Sequence, residues 1–324
     1  MLSPRDLPAS LGTVFHIAEA AAQGVSLERM RRADLVRPFA GVRVRVRVRD
    51  SAPAALATHH DDFARRSHEF RMGALAYAPR LRPGQFFSHE TAAALWGAPL
   101  PTPGDREGAA PVHVSVFGDA PLPRVRGVIA HRARVETSTV RVLGGVPVSS
   151  PATTWASLGT LPLYDVVAIG DYLCRVWRMG RGRPDAGREP LATRDELAAS
   201  IAAGRRVGIR RLRQALTMVR EDSWSPRESL VRCILHDYGL PEPSLNIDVF
   251  DDEGSFLGCL DLAFPEQKAG VEYHGLLHAA TYAKDVERMA RLRAAGWTII
   301  EVTAESLRDE GALVRRIRAV LRGR

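Results

Sequence analysis

Asp261, Glu272 and His274 are the residues whose types and spacing could do chemistry together. Between the two acids, Pro265, Glu266, Gln267 and Lys268 form a polar loop flanked by apolar runs, and four residues is a common hairpin length. In such a hairpin Phe264 pairs with Ala269, Leu262 with Val271, Leu260 with Tyr273, Cys259 with His274, and Asp261 with Glu272. Alternation puts the apolar residues on one face and the carboxylates on the other, with His274 on the face of Glu272. Residues opposed in an antiparallel pair have Cβ atoms roughly 4.5 to 5.5 Å apart.

Two carboxylates held that close repel unless a proton or a divalent cation sits between them. Mg²⁺ suits the pair, because it takes oxygen ligands, keeps several waters and accepts substrate phosphate; Mn²⁺ would serve in its place. The plainer reading is an ordinary hairpin with a solvated polar face. Convergence of both acids on one rung argues for the ion.

The elements that must position these residues follow. Leu276 to Ala295 is rich in Ala, Leu, Met and Arg and stops at Gly296, which predicts a helix. His278, Asp285 and Arg288 share one of its faces. That face could approach bound phosphate, but for Asp285 a local i,i+3 ion pair with Arg288 on a solvated helix is the preferred reading. Trp297 to Thr303 reads as a strand, so the strand, helix and second strand form a parallel, right-handed unit. Upstream, Ser225, Pro226 and Glu228 open a helix reaching about Tyr238, followed by a first strand within Leu240 to Asp252.

In order, Asp261, Glu272, Gly275 with His278, Asp285 with Arg288, and GWTIIEVT resemble the PD-(D/E)xK nucleases, in the branch that contains the very-short-patch mismatch repair endonuclease. The resemblance covers about the last third of the chain. It implies a restriction-endonuclease-like αβββαβ core and a Mg²⁺- or Mn²⁺-dependent endodeoxyribonuclease in which Asp261, Glu272 and Glu228 hold the metal. Catalysis would also involve His274, His278 and Arg288. For Glu228 a second reading stands beside this one: with Ser225 as N-cap and Pro226 at N1, it completes a capping box at N3. The chain departs from the family where its lysine, two positions after the acid, is His274. A histidine with an ordinary pKa near 6.5 could orient or deprotonate the attacking water. The alternative is a nuclease-shaped domain without activity, serving a DNA-binding transcriptional regulator or antitoxin-like protein.

The N-terminal region offers a route to DNA. Val14 to Gln23 reads as a helix, Gly24 and Val25 as a turn, and Ser26 to Leu35 as a second helix carrying Arg29, Arg31 and Arg32. Val42 to Arg49 then alternates valine with arginine, so Arg43, Arg45, Arg47 and Arg49 share one face of a strand. That order resembles a winged helix-turn-helix whose arginines contact phosphates. A charged edge strand is the competing reading. RPFAGVRV, SHETAAALWGAPLP and GGVPVSSPATTWASL extend a likeness to actinobacterial AbiEi-type antitoxin and regulator proteins over roughly the first half. In these motifs His89 is expected in packing or in a first helical turn, and His131, on a strand, in packing or at the surface.

The reading that results is a mixed α/β protein: a winged-helix-like segment over 1–50, an α+β middle domain over 51–177, a linker with basic helices over 178–222, and the nuclease-like domain over 223–324. Strands are expected at Val112 to Phe117, Gly127 to Arg132 and Val140 to Ser149, with a helix from about Ala152. Asp165 and Asp171, six apart in an apolar helix, are taken as structural. Net charge is +8 over 324 residues, which favours polyanionic partners, DNA first. Only Lys268 and Lys284 among the 45 basic residues are lysines, an arginine bias that a GC-rich genome produces whatever the function. Cys174, Cys233 and Cys259 are scattered, which disfavours a disulfide framework or structural zinc and fits a cytoplasmic protein. No apolar run has spanning length and no signal peptide is expected. A homodimer or a toxin-like partner is compatible with this organisation.

Overall fold

A computed structural model describes residues 6–45, 62–101, 110–181, 183, 185–274 and 279–323. The protein is mixed α/β, and its chain divides into two compact units, Met1–Leu158 with Ala199–Val207, and Gly159–Ala198 with Gly208–Arg324.

The first unit begins with β1 (Val14–His16), α1 (Ile17–Ala22), β2 (Leu35–Val36) and β3 (Val42–Arg45), a three-stranded sheet in the order β1-β3-β2. The helix expected from Val14 is therefore a strand running into a helix of six residues, with the His16 ring capping the amide of Ala18. The second expected helix reduces to one 3-10 turn, Arg29–Arg31. A single turn suffices to bury Met30, which packs with Leu11, Phe15, Ala20 and Leu35. Arg47 and Arg49 lie outside the described residues.

Next come α2 (Asp62–Tyr77), β4 (Gln85–Phe87), α3 (His89–Leu95), β5 (Val112–Phe117), β6 (Val128–Ala133), β7 (Val140–Leu143), β8 (Val146–Ser149) and α4 (Pro151–Ala156). Their strands form one sheet in the order β6-β5-β4-β8-β7. The strand expected over Val140 to Ser149 is a hairpin: Gly144 and Gly145 both have positive φ, at 56° and 82°, which a two-residue type I′ turn requires. Tyr77, Phe87, Ala92, Val114 and Val148 centre the core.

The second unit contains α5 (Leu163–Cys174), α6 (Arg194–Ala202, which the unit boundary crosses), α7 (Ile209–Met218), α8 (Pro226–Asp237), β9 (Ser244–Phe250), β10 (Phe256–Phe264), β11 (Ala269–Tyr273), α9 (Ala279–Ala294), β12 (Thr298–Val302) and α10 (Glu310–Arg322). From α8 to β12 the order is helix, three strands, helix, strand. The sheet runs β12-β11-β10-β9, antiparallel except for β11 with β12, the pair joined through α9. Helices cover both faces. Val231 and Ile234 of α8 and Val314 and Ile317 of α10 pack with Leu262, Val271 and Val302. On the opposite side Met289 and Leu292 of α9 pack with Val249, Leu260 and Ala263. The expected division into one apolar and one polar face thus gives way to a sheet buried on both sides, which is why β10 reads as a nearly continuous apolar run.

The stretch expected to act as a linker has no helix or strand among its described residues between 178 and 190, yet it is anchored. Arg178 donates to the carbonyls of Leu245 and Asn246, and Arg183 pairs with Asp248 at 2.6 Å. Guanidinium groups of Arg175 and Arg183 lie over the rings of Trp177 and Trp224, at 3.7 and 4.6 Å respectively. Behind them Asp171 of α5 and Arg232 of α8, each 1% exposed, form a 2.8 Å ion pair. Asp171 also accepts from Ser229 and from the amide of Arg220, so the structural role expected of it is the one it fills.

Candidate functional site: crossed carboxylates at the end of a hairpin

The β10–β11 register matches the sequence expectation: Leu262 faces Val271, Ala263 faces Gly270 and Phe264 faces Ala269. The ladder stops there: the expected rungs Asp261–Glu272, Leu260–Tyr273 and Cys259–His274 are not backbone pairs of this sheet. There each carboxylate reaches across to the other strand's backbone. The amide of Asp261 donates to Glu272 Oε1 at 3.3 Å, and the amide of Tyr273 donates to Asp261 Oδ2 at 3.0 Å. On the other flank of β10 the ladder to β9 pairs Leu260 with Ile247 and Leu262 with Leu245, skipping the Asp261 rung. Asn246, beside the gap, takes a left-handed φ of 49°, a conformation asparagine tolerates better than most residues. Local departure from the ladder is thus what turns the Asp261 backbone toward a side-chain partner.

Glu272 is 4% exposed. Its Oε2 accepts from Arg288 of α9 at 2.9 Å, and Arg288 also donates to the Cys259 carbonyl. Arg288 can lie over β10 because residue 258 is glycine: a Cβ there would meet Arg288 Cγ and Cδ at 3.0 and 3.1 Å. Asp285 stands 3.9 Å from the same guanidinium, the i,i+3 relation anticipated. Burial alone would lower the Arg288 pKa, but the Glu272 bond outweighs it and the guanidinium is raised. Burial, then the Glu272 and Glu228 charges, push the Asp261 carboxyl well above its ordinary range, against the pull of the Tyr273 amide and Arg288.

Glu228 follows the capping-box reading in its Ser225 half, while its carboxylate reaches one residue past the N-cap, to Trp224. Ser225 Oγ accepts from the Glu228 amide, while Glu228 Oε2 accepts from the Trp224 amide at 2.9 Å and from Asn246 Nδ2 at 2.7 Å. Its influence on Asp261 shows that the cap also belongs to the same electrostatic neighbourhood. Burial raises the Glu228 carboxyl despite those hydrogen bonds. Asp261 and Glu272 thus share the Arg288 guanidinium with Asp285, while Glu228 lies within electrostatic reach of Asp261 and of Arg175, a centre rich in hard oxygen donors. Such a centre must take up protons or a cation. His274 continues β11 through its amide, which donates to the Val302 carbonyl, while its Nε2 is buried with no hydrogen-bond partner among the described residues. Buried polar atoms normally have partners, so an unsatisfied imidazole nitrogen fits a place where a solute belongs. These donors suit Mg²⁺ or Mn²⁺. His278 lies outside the described residues.

Among the N-terminal arginines, Arg29 is buried and forms a bidentate pair with Asp34. Arg43 donates to the Met30 and Val42 carbonyls and Arg45 to those of Pro8 and Leu11, so both tie the small sheet to its loops. Arg31 and Arg32 are exposed. Sequence reasoning passed over Asn246 and Gly258, whose roles rest on backbone conformation and on contact with distant helices. It also passed over His113, which the first unit brings beside His89 and His131.

Fold and site together define a two-unit mixed α/β protein with crossed carboxylates, Glu272 buried and Asp261 half-buried, at a hairpin end. The chain belongs to the family of two Mycobacterium tuberculosis proteins, uncharacterized protein MT2308 of strain CDC 1551 / Oshkosh and uncharacterized protein Rv2248 of strain H37Rv. With each it is 30% identical over 232 residues, covering 70% of this chain and 78% of the relative. No protein-family model matches the chain. No solved structure matches it either.

Proposed function

We propose that the second unit is a metal-dependent DNA endonuclease that hydrolyses phosphodiester bonds. The observation that carries this reading is the Asp261–Glu272 pair, Glu272 buried and Asp261 half-buried, each carboxylate bonded to the neighbouring strand's backbone, with the buried His274 Nε2 just past the end of β11 having no hydrogen-bond partner among the described residues. Asp261 and Glu272 would hold Mg²⁺ or Mn²⁺, with Glu228 behind them. Bound there, the ion would supply Lewis-acid polarisation of a phosphoryl oxygen and a more acidic water. His274 would orient or accept a proton from the attacking water through Nε2. Arg288, already committed to Glu272, would offset charge that develops on the phosphate. Exposed arginines such as Arg31 and Arg32, together with the net charge of +8, suit DNA as the polyanion.

One observation favours a second reading. Both Glu272 oxygens already have donors, Arg288 and the Asp261 amide, a network that closes without metal. In that case the chain binds DNA as a regulator or antitoxin-like protein and does not cut it. Plasmid nicking in Mg²⁺ or Mn²⁺ separates the two. Nicking by the wild type that Asp261→Ala removes supports the nuclease. Equal nicking by both proteins sinks it, and DNA shifts without metal or cleavage favour the regulator.

A further inference from the structure

The first unit brings three histidines together from separate elements. His113 comes from β5, His131 from the edge strand β6, and His89 from the first position of α3. One ligand nitrogen from each lies within 4.8 Å of the others. The rings stack: His89 and His131 have centroids 3.7 Å apart, and His113 and His131 5.2 Å with only 9° between their planes. His113 Nδ1 and His131 Nε2 are 3.0 Å apart. A tetrahedral zinc ion with Zn–N bonds of about 2.0–2.1 Å sets its ligand nitrogens roughly 3.3 Å apart, so this pair already has the required separation.

The surroundings supply what such a site needs. Glu90 Oε2 stands 3.4 Å from His113 Nε2, the carboxylate–histidine relation that fixes tautomer and ring orientation in zinc sites. Ser88 Oγ is 3.0 Å from His89 Nδ1 and accepts from Ser115 Oγ at 2.7 Å, so Nδ1 is engaged by the hydroxyl and Nε2 is the nitrogen left to an ion. The His113 backbone is itself fixed, its amide donating to Thr91 Oγ1 at 2.8 Å. His89 adopts a left-handed φ of 51°, a backbone conformation that is costly for an ordinary residue, and its ring stacks on His131.

We propose that His89, His113 and His131 form a binding site for a divalent transition cation of the zinc class, three imidazole nitrogens leaving a fourth position for water or an added ligand, with Glu90 orienting His113. Nitrogen donors select zinc, cobalt or nickel over magnesium, so this centre is chemically separate from the carboxylates of the second unit. With the Glu90 carboxylate 3.4 Å from His113 Nε2, the metal-free arrangement this site calls for has the His113 hydrogen on Nε2 and the hydrogen shared by His113 Nδ1 and His131 Nε2 on His131. Metal uptake moves the His131 hydrogen to Nδ1 and replaces that hydrogen bond with two metal–nitrogen bonds.

The test uses the full chain, stripped with chelator and titrated with Co²⁺ and Zn²⁺. The wild type is expected to take up one Co²⁺ with a visible ligand-field band of tetrahedral or five-coordinate intensity, which one equivalent of Zn²⁺ displaces. His131→Gln, on a half-exposed edge-strand position, should abolish the band while circular dichroism and the unfolding midpoint of the stripped protein stay near wild type. Glu90→Gln should keep the band with affinity about ten- to a hundredfold weaker, and Asp261→Ala should leave it unchanged. A wild type without stoichiometric uptake, or a His131→Gln protein with the wild-type band and affinity, overturns the site.

Discussion

At the scale of single residues, buried charge decides most outcomes. Asp165, near the start of α5, is pushed up to about 6, by burial first and against the pull of Arg227. Its folded pKa lies above the unfolded value near 3.9, so the folded state binds the extra proton between those values and the ionised group destabilises the fold above pH 6. Asp165→Asn is therefore expected to raise stability at pH 7.5 by about 1–2 kcal/mol, less than the full shift because a carboxylate in a helix's first turn is itself favourable. Near pH 3.5 that gain should be gone. Thermal unfolding of both proteins at the two pH values checks the sign. The Asp171–Arg232 pair behaves differently, because removing one partner strands the other. Asp171→Asn should cost about 3–5 kcal/mol in urea unfolding, and pairing it with Arg232→Met should recover most of the loss.

At the scale of elements, the hairpin of β10 and β11 was legible because its register follows from alternation and a short polar loop. Leu262 opposite Val271 and Phe264 opposite Ala269 needed nothing else. The α8 boundaries were equally legible, since Ser225, Pro226 and Glu228 encode them locally. What escaped depends on tertiary context. Ser26 to Leu35 has helical composition, yet burying Met30 needs only a turn there. The strand face assigned to the carboxylates is covered because helices packed from far along the chain close both sides of the sheet. His89, His113 and His131 have no spacing that marks a site; a parallel strand pairing and an unusual backbone angle unite them. Gly258 shows how an element positions a charge. Gly258→Ala should push Arg288 away from Glu272 and reduce nicking on the order of ten- to a hundredfold, while the unfolding free energy changes by about 1 kcal/mol or less. Intact nicking in that variant would remove Arg288 from the account.

At the scale of the whole molecule, the net charge of +8 is the feature on which the proposed polyanionic partner rests. Among the described residues no helix is long and apolar enough to cross a membrane. DNA affinity should fall steeply with salt, each phosphate contact contributing about 0.9 to the log–log slope. Arg31→Ala with Arg32→Ala should lower that slope by about 2 if both touch phosphate, whereas Arg29→Ala should instead cost stability through its pair with Asp34. Fluorescence anisotropy on a labelled duplex across a salt series measures the first effect and thermal unfolding the second. The claim beneath all of this is that Asp261 and Glu272 form a hard-cation site. Anomalous diffraction from a crystal soaked in Mn²⁺ tests it most directly. The expected map has a manganese peak about 2.0–2.3 Å from oxygens of both carboxylates, with His274 Nε2 facing its water. A map with no peak there, and Arg288 still closed on Glu272 at saturating Mn²⁺, would contradict it.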